Sequence, residues 1–161
     1  MPETPKEKMT LVFFSGTLDK AIAMMFLATT AASMNMEVSV FFTFWGLSFL
    51  KKGKFYKGKG ILQKMMEFMM PSSKAALPLT DMNMLGLGPV MMKKMMENTR
   101  TPSLEEFFKM AKTFGVKIYA CSTSCGIMGI EKENMIDGVD GVLGAAAFLA
   151  EAQKAKINLF I

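Results

Sequence analysis

Apolar residues along the chain fall into five short runs, and stretches of helical period separate them. Thr10-Leu11-Val12-Phe13-Phe14 is almost continuously apolar, the pattern of a strand buried on both faces. Ser15-Gly16-Thr17 breaks it. A helix then follows to about Met34, with Thr17 as N-cap, Asp19 at the positive end of the dipole and Asn35 as the stop. Its apolar residues (Leu18, Ala21, Ile22, Met24, Met25, Phe26, Leu27, Ala28) cover nearly every side, so the fold or a subunit interface must bury it. Glu37 to Phe44 reads as the second strand and Trp45-Gly46 ends it. Val116 to Cys121 alternates as a third strand, Val139 to Leu143 is a fourth, and Lys156 to Ile161 a fifth.

Helical patterns fill the gaps. Gly60 to Met70 is amphipathic, with Gln63, Lys64 and Glu67 on the side expected to be wet, and Pro71 stops it. Residues 71 to 89 read as loop, punctuated by Pro71, Pro78, Gly86, Gly88 and Pro89. Val90 to Glu97 is a second short helix. Another opens at Thr101-Pro102 or at Ser103 with Glu106 three later, and turns Leu104, Phe107, Phe108 and Ala111 inward until Gly115. Glu131 to Ile136 is a helical turn and Gly144 to Lys154 an alanine-rich helix. Strand and helix alternate throughout, which predicts one α/β domain over residues 1–161 with a parallel five-stranded sheet and helices on both faces. Residues 51–102 are an insertion made of a basic loop and methionine-rich helices. Met1 to Lys8, polar and proline-containing, reads as a frayed tail.

Charge adds one feature. Nineteen basic against fourteen acidic residues give +5, and Lys51, Lys52, Lys54, Lys57 and Lys59 form the dense basic run. It is either a solvated loop or a docking patch for an acidic protein. It is too short, and too poor in interleaved aromatics, to suggest nucleic acid. Two cysteines do not make a disulfide framework, the start has no signal-peptide pattern, and the apolar run Val40 to Leu50 is too short to span a bilayer. A cytoplasmic protein is expected, although the amphipathic insertion helices leave membrane-surface contact open. The 19 methionines, ten of them between Met65 and Met96, suit a core or an interface; soft ligation of Cu(I) is the other reading. No cofactor or metal is expected.

The chain contains no histidine, so the usual general base and transition-metal ligand are missing. Attention falls on the third strand's end, Ala120-Cys121-Ser122-Thr123-Ser124-Cys125-Gly126, because the carboxyl ends of strands in open α/β sheets collect ligands. Cys121 is expected to be partly exposed there, with backbone N–H groups around Ser124 to Ile127 favouring its thiolate. Such a thiol would accept a sulfur atom as a persulfide, and Cys125, four residues on, would resolve it. The alternative is that both are inert core cysteines. Ser122, Thr123 and Ser124 would hydrogen-bond the sulfur group and Gly126 would admit backbone donors to it. Ser15, Gly16, Thr17, Trp45 and Gly46, at the ends of the first and second strands, are further candidate ligand-binding residues.

Four stretches carry a resemblance over most of the chain, from Met9 to Leu149. They are Ser15-Gly16-Thr17-Leu18-Asp19-Lys20-Ala21; Phe41-Phe42-Thr43-Phe44-Trp45-Gly46-Leu47; Lys117-Ile118-Tyr119-Ala120-Cys121 with Met128-Gly129-Ile130; and Ala145-Ala146-Ala147-Phe148-Leu149. Together they resemble the DsrE/DsrF-like superfamily, in the bacterial and archaeal branch labelled DsrE-family or peroxiredoxin-like. The resemblance implies a flavodoxin-like three-layer α/β/α fold and a homo-oligomer. It also implies sulfur carried on a cysteine, which corresponds to Cys121, in relay with TusA-like or rhodanese-like carriers. A sulfurtransferase and a simple carrier are both open. Peroxidase chemistry is not implied, because no Pro-x-x-x-Thr-x-x-Cys motif is present. A different class of function stays open beside it: a non-catalytic module that binds a protein or membrane surface through the lysine loop and the methionine-rich insertion.

Overall fold

The computed structural model describes residues 6–161. The first five residues of the expected tail lie outside the described residues. Lys8, assigned to that tail, instead opens β1 (Lys8–Phe13), where its backbone is in register with Glu37. β1, β2 (Glu37–Phe42), β3 (Lys117–Cys121), β4 (Gly141–Leu143) and β5 (Ile157–Phe160) form one all-parallel sheet in the order β4-β3-β2-β1-β5. This is not flavodoxin's order, in which β1 lies between β2 and β3; here it lies between β2 and β5. The helices are α1 (Leu18–Ser33), α2 (Ile61–Met69), α3 (Leu87–Asn98), α4 (Leu104–Thr113), α5 (Ser122–Met128) and α6 (Ala145–Ala152).

Strand order explains the layers. From β1 to β4 the chain steps in one direction, and right-handed crossovers keep the connecting helices on one face. The single return from β4 to β5 carries α6 to the other face. The first face therefore holds the main core: Leu11, Phe13, Val40, Phe42 and Ile118 of the sheet against Met24, Met25 and Ala28 of α1 and Phe107, Phe108 and Ala111 of α4. Phe13, Phe42 and Phe49 meet edge-on or tilted at 5.3–6.3 Å between ring centres. The second face has one short helix and a small cluster, in which Phe148 of α6 stacks on Phe41 at 4.4 Å, beside Cys121.

The α4 start is as read. The Ser103 hydroxyl accepts from the Glu106 amide at 3.3 Å, the Glu106 carboxylate accepts from the Ser103 amide at 2.7 Å, and Leu104, Phe107, Phe108 and Ala111 are buried. Several boundaries move. β2 ends at Phe42, because Phe44 takes a positive φ of 45° and a 3-10 segment, Phe44–Leu50, follows. α3 starts at Leu87, three residues early, since Pro89 falls in the first turn, where no intrahelical N–H is needed. Thr17 precedes α1 but bonds Thr80 through its hydroxyl and does not cap the helix with its side chain.

The larger correction concerns α2. Glu67, placed on the wet side, is buried, while Ile61, Leu62, Met65, Phe68 and Met69 point outward. Polar chemistry docks this helix. Glu67 accepts from Lys51 at 2.5 Å and from Lys59 at 2.6 Å, and the three side chains are 1%, 1% and 5% exposed. Lys51 and Lys59 therefore leave the solvated run, and Lys54 donates to the Phe68 carbonyl at 2.6 Å. Burial, helped by the neighbouring Lys59 and Lys54 charges, lowers the Lys51 pKa despite its bond to Glu67. Burial pushes Glu67 up, but hydrogen bonds from the two lysines outweigh that and hold it below the ordinary glutamate range. Among the described residues no helix is long and apolar enough to cross a membrane.

Candidate functional site

β3 delivers Cys121 to the carboxyl edge of the sheet, and α5 begins at the next residue, with Cys121 as its N-cap in extended conformation (φ −73°, ψ 119°). The side chain of Cys121 belongs to the cluster under α6, with Phe41 and Phe148, and is only 5% exposed. The expected partial exposure is thus corrected: the aromatic stack covers the strand end. Burial alone would raise this thiol's pKa. The amide and hydroxyl of Ser124, the hydroxyl of Thr43 and the amide of Thr123 all favour the thiolate, and together they bring it below the usual cysteine value.

Cys125 is a different kind of cysteine. One helical turn on, it packs into the main core with Met128, and burial followed by the nearby Cys121 charge pushes its pKa up to about 11. Both thiols are free. The resolving role expected for Cys125 is not favoured, since a thiol so hard to ionise attacks poorly and the two side chains enter cores on opposite faces of the sheet.

The remaining candidates divide into two groups. Of the three hydroxyl residues after Cys121, only Ser124 turns its side chain inward; Ser122 and Thr123 are exposed, and Thr123 contributes its amide. Gly126 is exposed. Its carbonyl, with that of Ile127, accepts from Gln63 of α2 at 3.3 Å, so it anchors the insertion. Ser15, Gly16, Thr17 and Trp45 line a separate, mostly apolar cavity of about 430 Å³ with Met66, Met69, Met70 and Pro78, and Cys121 does not reach it. Gly16 has φ 62°, and a Cβ there would meet the Trp45 carbonyl oxygen at 2.3 Å. Gly46 serves packing: its amide donates to the Phe14 carbonyl at 2.9 Å, and a Cβ would meet the Phe13 carbonyl oxygen at 2.1 Å. Among the described residues no group of three or more Cys, Asp or Glu side chains could hold a metal ion.

Sequence reasoning missed Thr43. It follows β2, donates its amide to the Phe13 carbonyl at 3.0 Å, and its hydroxyl lies 2.7 Å from that of Ser124. The signal was available. Thr43 is the lone polar residue inside Phe41-Phe42-Thr43-Phe44, at the end of the strand beside β3.

The fold and this edge define a parallel α/β protein with one buried thiol, set among groups that favour its thiolate, at the carboxyl end of a strand. The chain belongs to the DsrE/DsrF/DrsH-like family, whose model matches residues 5–160. It is 38% identical over 156 residues to the uncharacterized protein YrkE of Bacillus subtilis (strain 168), covering 96% of this chain and 97% of that one. It is 35% identical over 162 residues to the sulfur carrier protein DsrE2 of Allochromatium vinosum, covering 97% and 99%. A protein of unknown function from Methanobacterium thermoautotrophicum, MTH1491, shares the fold with a TM-score of 0.55 at 9% identity, over 97% of this chain and all of that one.

Proposed function

We propose that this protein is a sulfur carrier acting in the cytoplasm, with Cys121 as the atom that takes up sulfane sulfur and passes it on. The observation that carries this reading is the place of Cys121: a buried thiol at the end of β3 and the N-cap of α5, whose ionised form nearby Ser124, Thr43 and Thr123 favour, in a chain that has no histidine base. Family membership and the similarity to a protein named as a sulfur carrier support it.

With thiosulfate as donor the first step balances without an external oxidant. The Cys121 thiolate attacks the outer sulfur, a new S–S bond forms as the donor S–S bond breaks, and sulfite leaves with the electron pair. The product is a persulfide. In the second step an acceptor thiolate attacks the terminal sulfur and Cys121 leaves as thiolate. With tetrathionate the adduct is a thiosulfonate and thiosulfate leaves. The donors that favour the thiolate would serve equally when Cys121 is the leaving group, because charge returns to the same atom. TusA-like or rhodanese-like proteins are the expected exchange partners.

Intact mass after incubation with thiosulfate, tetrathionate or polysulfide tests the reading. One sulfur or one thiosulfonate is expected on the wild type and none on Cys121→Ser. An unmodified wild type, or equal modification of the variant, rejects it.

The outward face of α2 favours a second reading, a module that docks other proteins. Ile61, Leu62, Phe68 and Met69 are each 74–81% exposed on one short helix. The lysine loop contributes less than its count suggested, since Lys51 and Lys59 are committed to Glu67. The two readings are compatible if α2 is where a carrier or a second copy of the chain sits.

A further inference from the structure

We propose that the cavity beyond the carboxyl ends of β1 and β2 is a binding site, separate from Cys121, for a small neutral molecule that is mostly apolar and carries one hydrogen-bonding group.

Strand order puts a crevice there. The chain leaves β1 for β2 on one side and returns to its other side only through β5, so α1 and α6 lie on opposite faces of the sheet. Ligands of open parallel sheets gather outside the carboxyl ends of strands at such a reversal. The loop after β1, Ser15-Gly16-Thr17, forms part of the cavity wall, and Met66 and Met69 of α2 form another part. The body side of this wall is fixed. Gly16 has no Cβ to collide with the Trp45 carbonyl oxygen, and the Gly46 amide ties the 3-10 segment to the Phe14 carbonyl at 2.9 Å. The volume of about 430 Å³ falls within the ~300–1,000 Å³ of small-molecule sites.

Ser48 supplies the polar group. It belongs to the same 3-10 segment, is 1% exposed and lines the cavity. Every other buried polar side chain is paired within the chain: Thr10 with Asn158, Thr29 with the Met25 carbonyl, Thr43 with Ser124, and Lys51 with Glu67. The Ser48 hydroxyl has no hydrogen-bond partner among the described residues. No sealed side-chain polar atom there lacks one, so the Ser48 oxygen keeps its small surface open to the cavity. A hydroxyl so enclosed is satisfied only by what occupies the cavity.

Charge selects the class of ligand. No lining residue is charged. The two charges in the first turn of α1 are already engaged: Lys20 donates to the Ser15 hydroxyl at 3.4 Å, and Asp19 accepts from the Thr80 amide at 3.0 Å. The Asp19 carboxylate also occupies the helix end that would otherwise attract an anion. An ionised ligand would lose its hydration without gaining a partner charge. A neutral ring system can lie against Trp45 and the methionines.

Trp45 is the chain's one tryptophan, so it locates a probe. The whole protein is titrated with the neutral fluorophore phenylnaphthylamine, excited by energy transfer from tryptophan. The probe is then displaced by naphthol, methylnaphthalene or naphthoate, each substituted at the same ring position. Sensitised emission is expected. Naphthol should displace the probe at roughly fivefold lower concentration than methylnaphthalene, the worth of one neutral hydrogen bond, and naphthoate should be the weakest. Ser48→Ala should keep wild-type stability, because its hydroxyl bonds nothing in the chain, and should erase the preference for naphthol. Cys121→Ser should bind as the wild type does, so this result is independent of the sulfur experiment. Phe68→Lys, on the outward face of α2, should also leave binding unchanged. Absent sensitised emission, naphthoate as effective as naphthol, or an intact naphthol preference in Ser48→Ala overturns the proposal. Loss of the probe in Phe68→Lys would move it to the exposed helix face and overturn the proposal as well. So would a Ser48→Ala variant that unfolds early, since its hydroxyl would then have a partner in the chain.

Discussion

Replacing Glu67 by Gln should release α2 from the body of the protein. The carboxylate holds two buried ammonium groups, Lys51 at 2.5 Å and Lys59 at 2.6 Å, and also accepts from the Phe55 amide at 3.3 Å. A glutamine offers one oxygen to these donors and turns an NH₂ group toward another. Breaking a buried pair in this way costs about 3–5 kcal/mol, because a charge is left without compensation. Here two ammonium groups are left, but they regain water if the helix lifts. The loss is therefore limited to the free energy that docks α2, and local opening should precede global unfolding. The other visible ties are modest: Gln63 to the carbonyls of Gly126 and Ile127, and Lys54 to Phe68. Trp45, the chain's one tryptophan, lines the same cavity as Met66 and Met69 and reports on α2. In urea the variant should show an early change of tryptophan emission, ahead of the far-ultraviolet transition, and cleavage between residues 53 and 70 by a trace protease. Acid should reproduce this in the wild type. The Glu67 pKa is depressed in the folded protein, so its contribution is complete above the ordinary glutamate value and is lost as pH falls through the lower folded value. The variant should lack that acid step. A stability within about 1 kcal/mol of wild type, with unchanged proteolysis, would refute the reasoning.

Gly46→Ala should cost about 2–4 kcal/mol by urea titration, since its Cβ would lie 2.1 Å from the Phe13 carbonyl oxygen and backbone must move; a neutral result contradicts that packing. Phe148→Ala should uncover Cys121 and speed its reaction with a bulky aromatic disulfide, at a stability cost of about 3–5 kcal/mol; an unchanged rate means the Phe41–Phe148 stack is not the cover. Light scattering should give a multiple of 17.8 kDa, reduced by Phe68→Lys on the outward face of α2, whereas a monomer mass for the wild type would remove oligomerisation from the picture.

Much of the fold was legible because buried parallel strands and capped helices write local patterns. Leu11 to Phe13 and Val38 to Phe42 could only be strands, and Ser103 with Glu106 announced α4. The orientation of α2 was not legible. Its periodicity is real, but amphipathicity says which residues share a side, not which side faces in. Buried Lys51 and Lys59, distant in pattern and close in space, reversed it. In the site, Cys121 could be located from its strand, and Ser124 from its spacing. Thr43 stood out only as the lone polar residue of its run; its contact with Ser124 was not legible, because that depends on β2 lying beside β3, a fact of strand order. For the same reason Ser15, Gly16, Thr17 and Trp45 looked like part of one site with Cys121 and line a cavity of their own.

Strand order also sets a sequence of events. β1 meets β2 in register from Lys8 with Glu37, a short loop closure, but its other edge waits for β5, whose Ile157 pairs with Met9. Contacts that span so much chain form late, because the loop must close before they repay its entropy. Until then β1 presents a bare hydrogen-bonding edge carrying Met9, Leu11 and Phe13, the kind of edge that recruits another chain. Slow docking of the last strand therefore defines the window in which this protein is most prone to aggregate. Loss of residues 157–160 would make that window permanent.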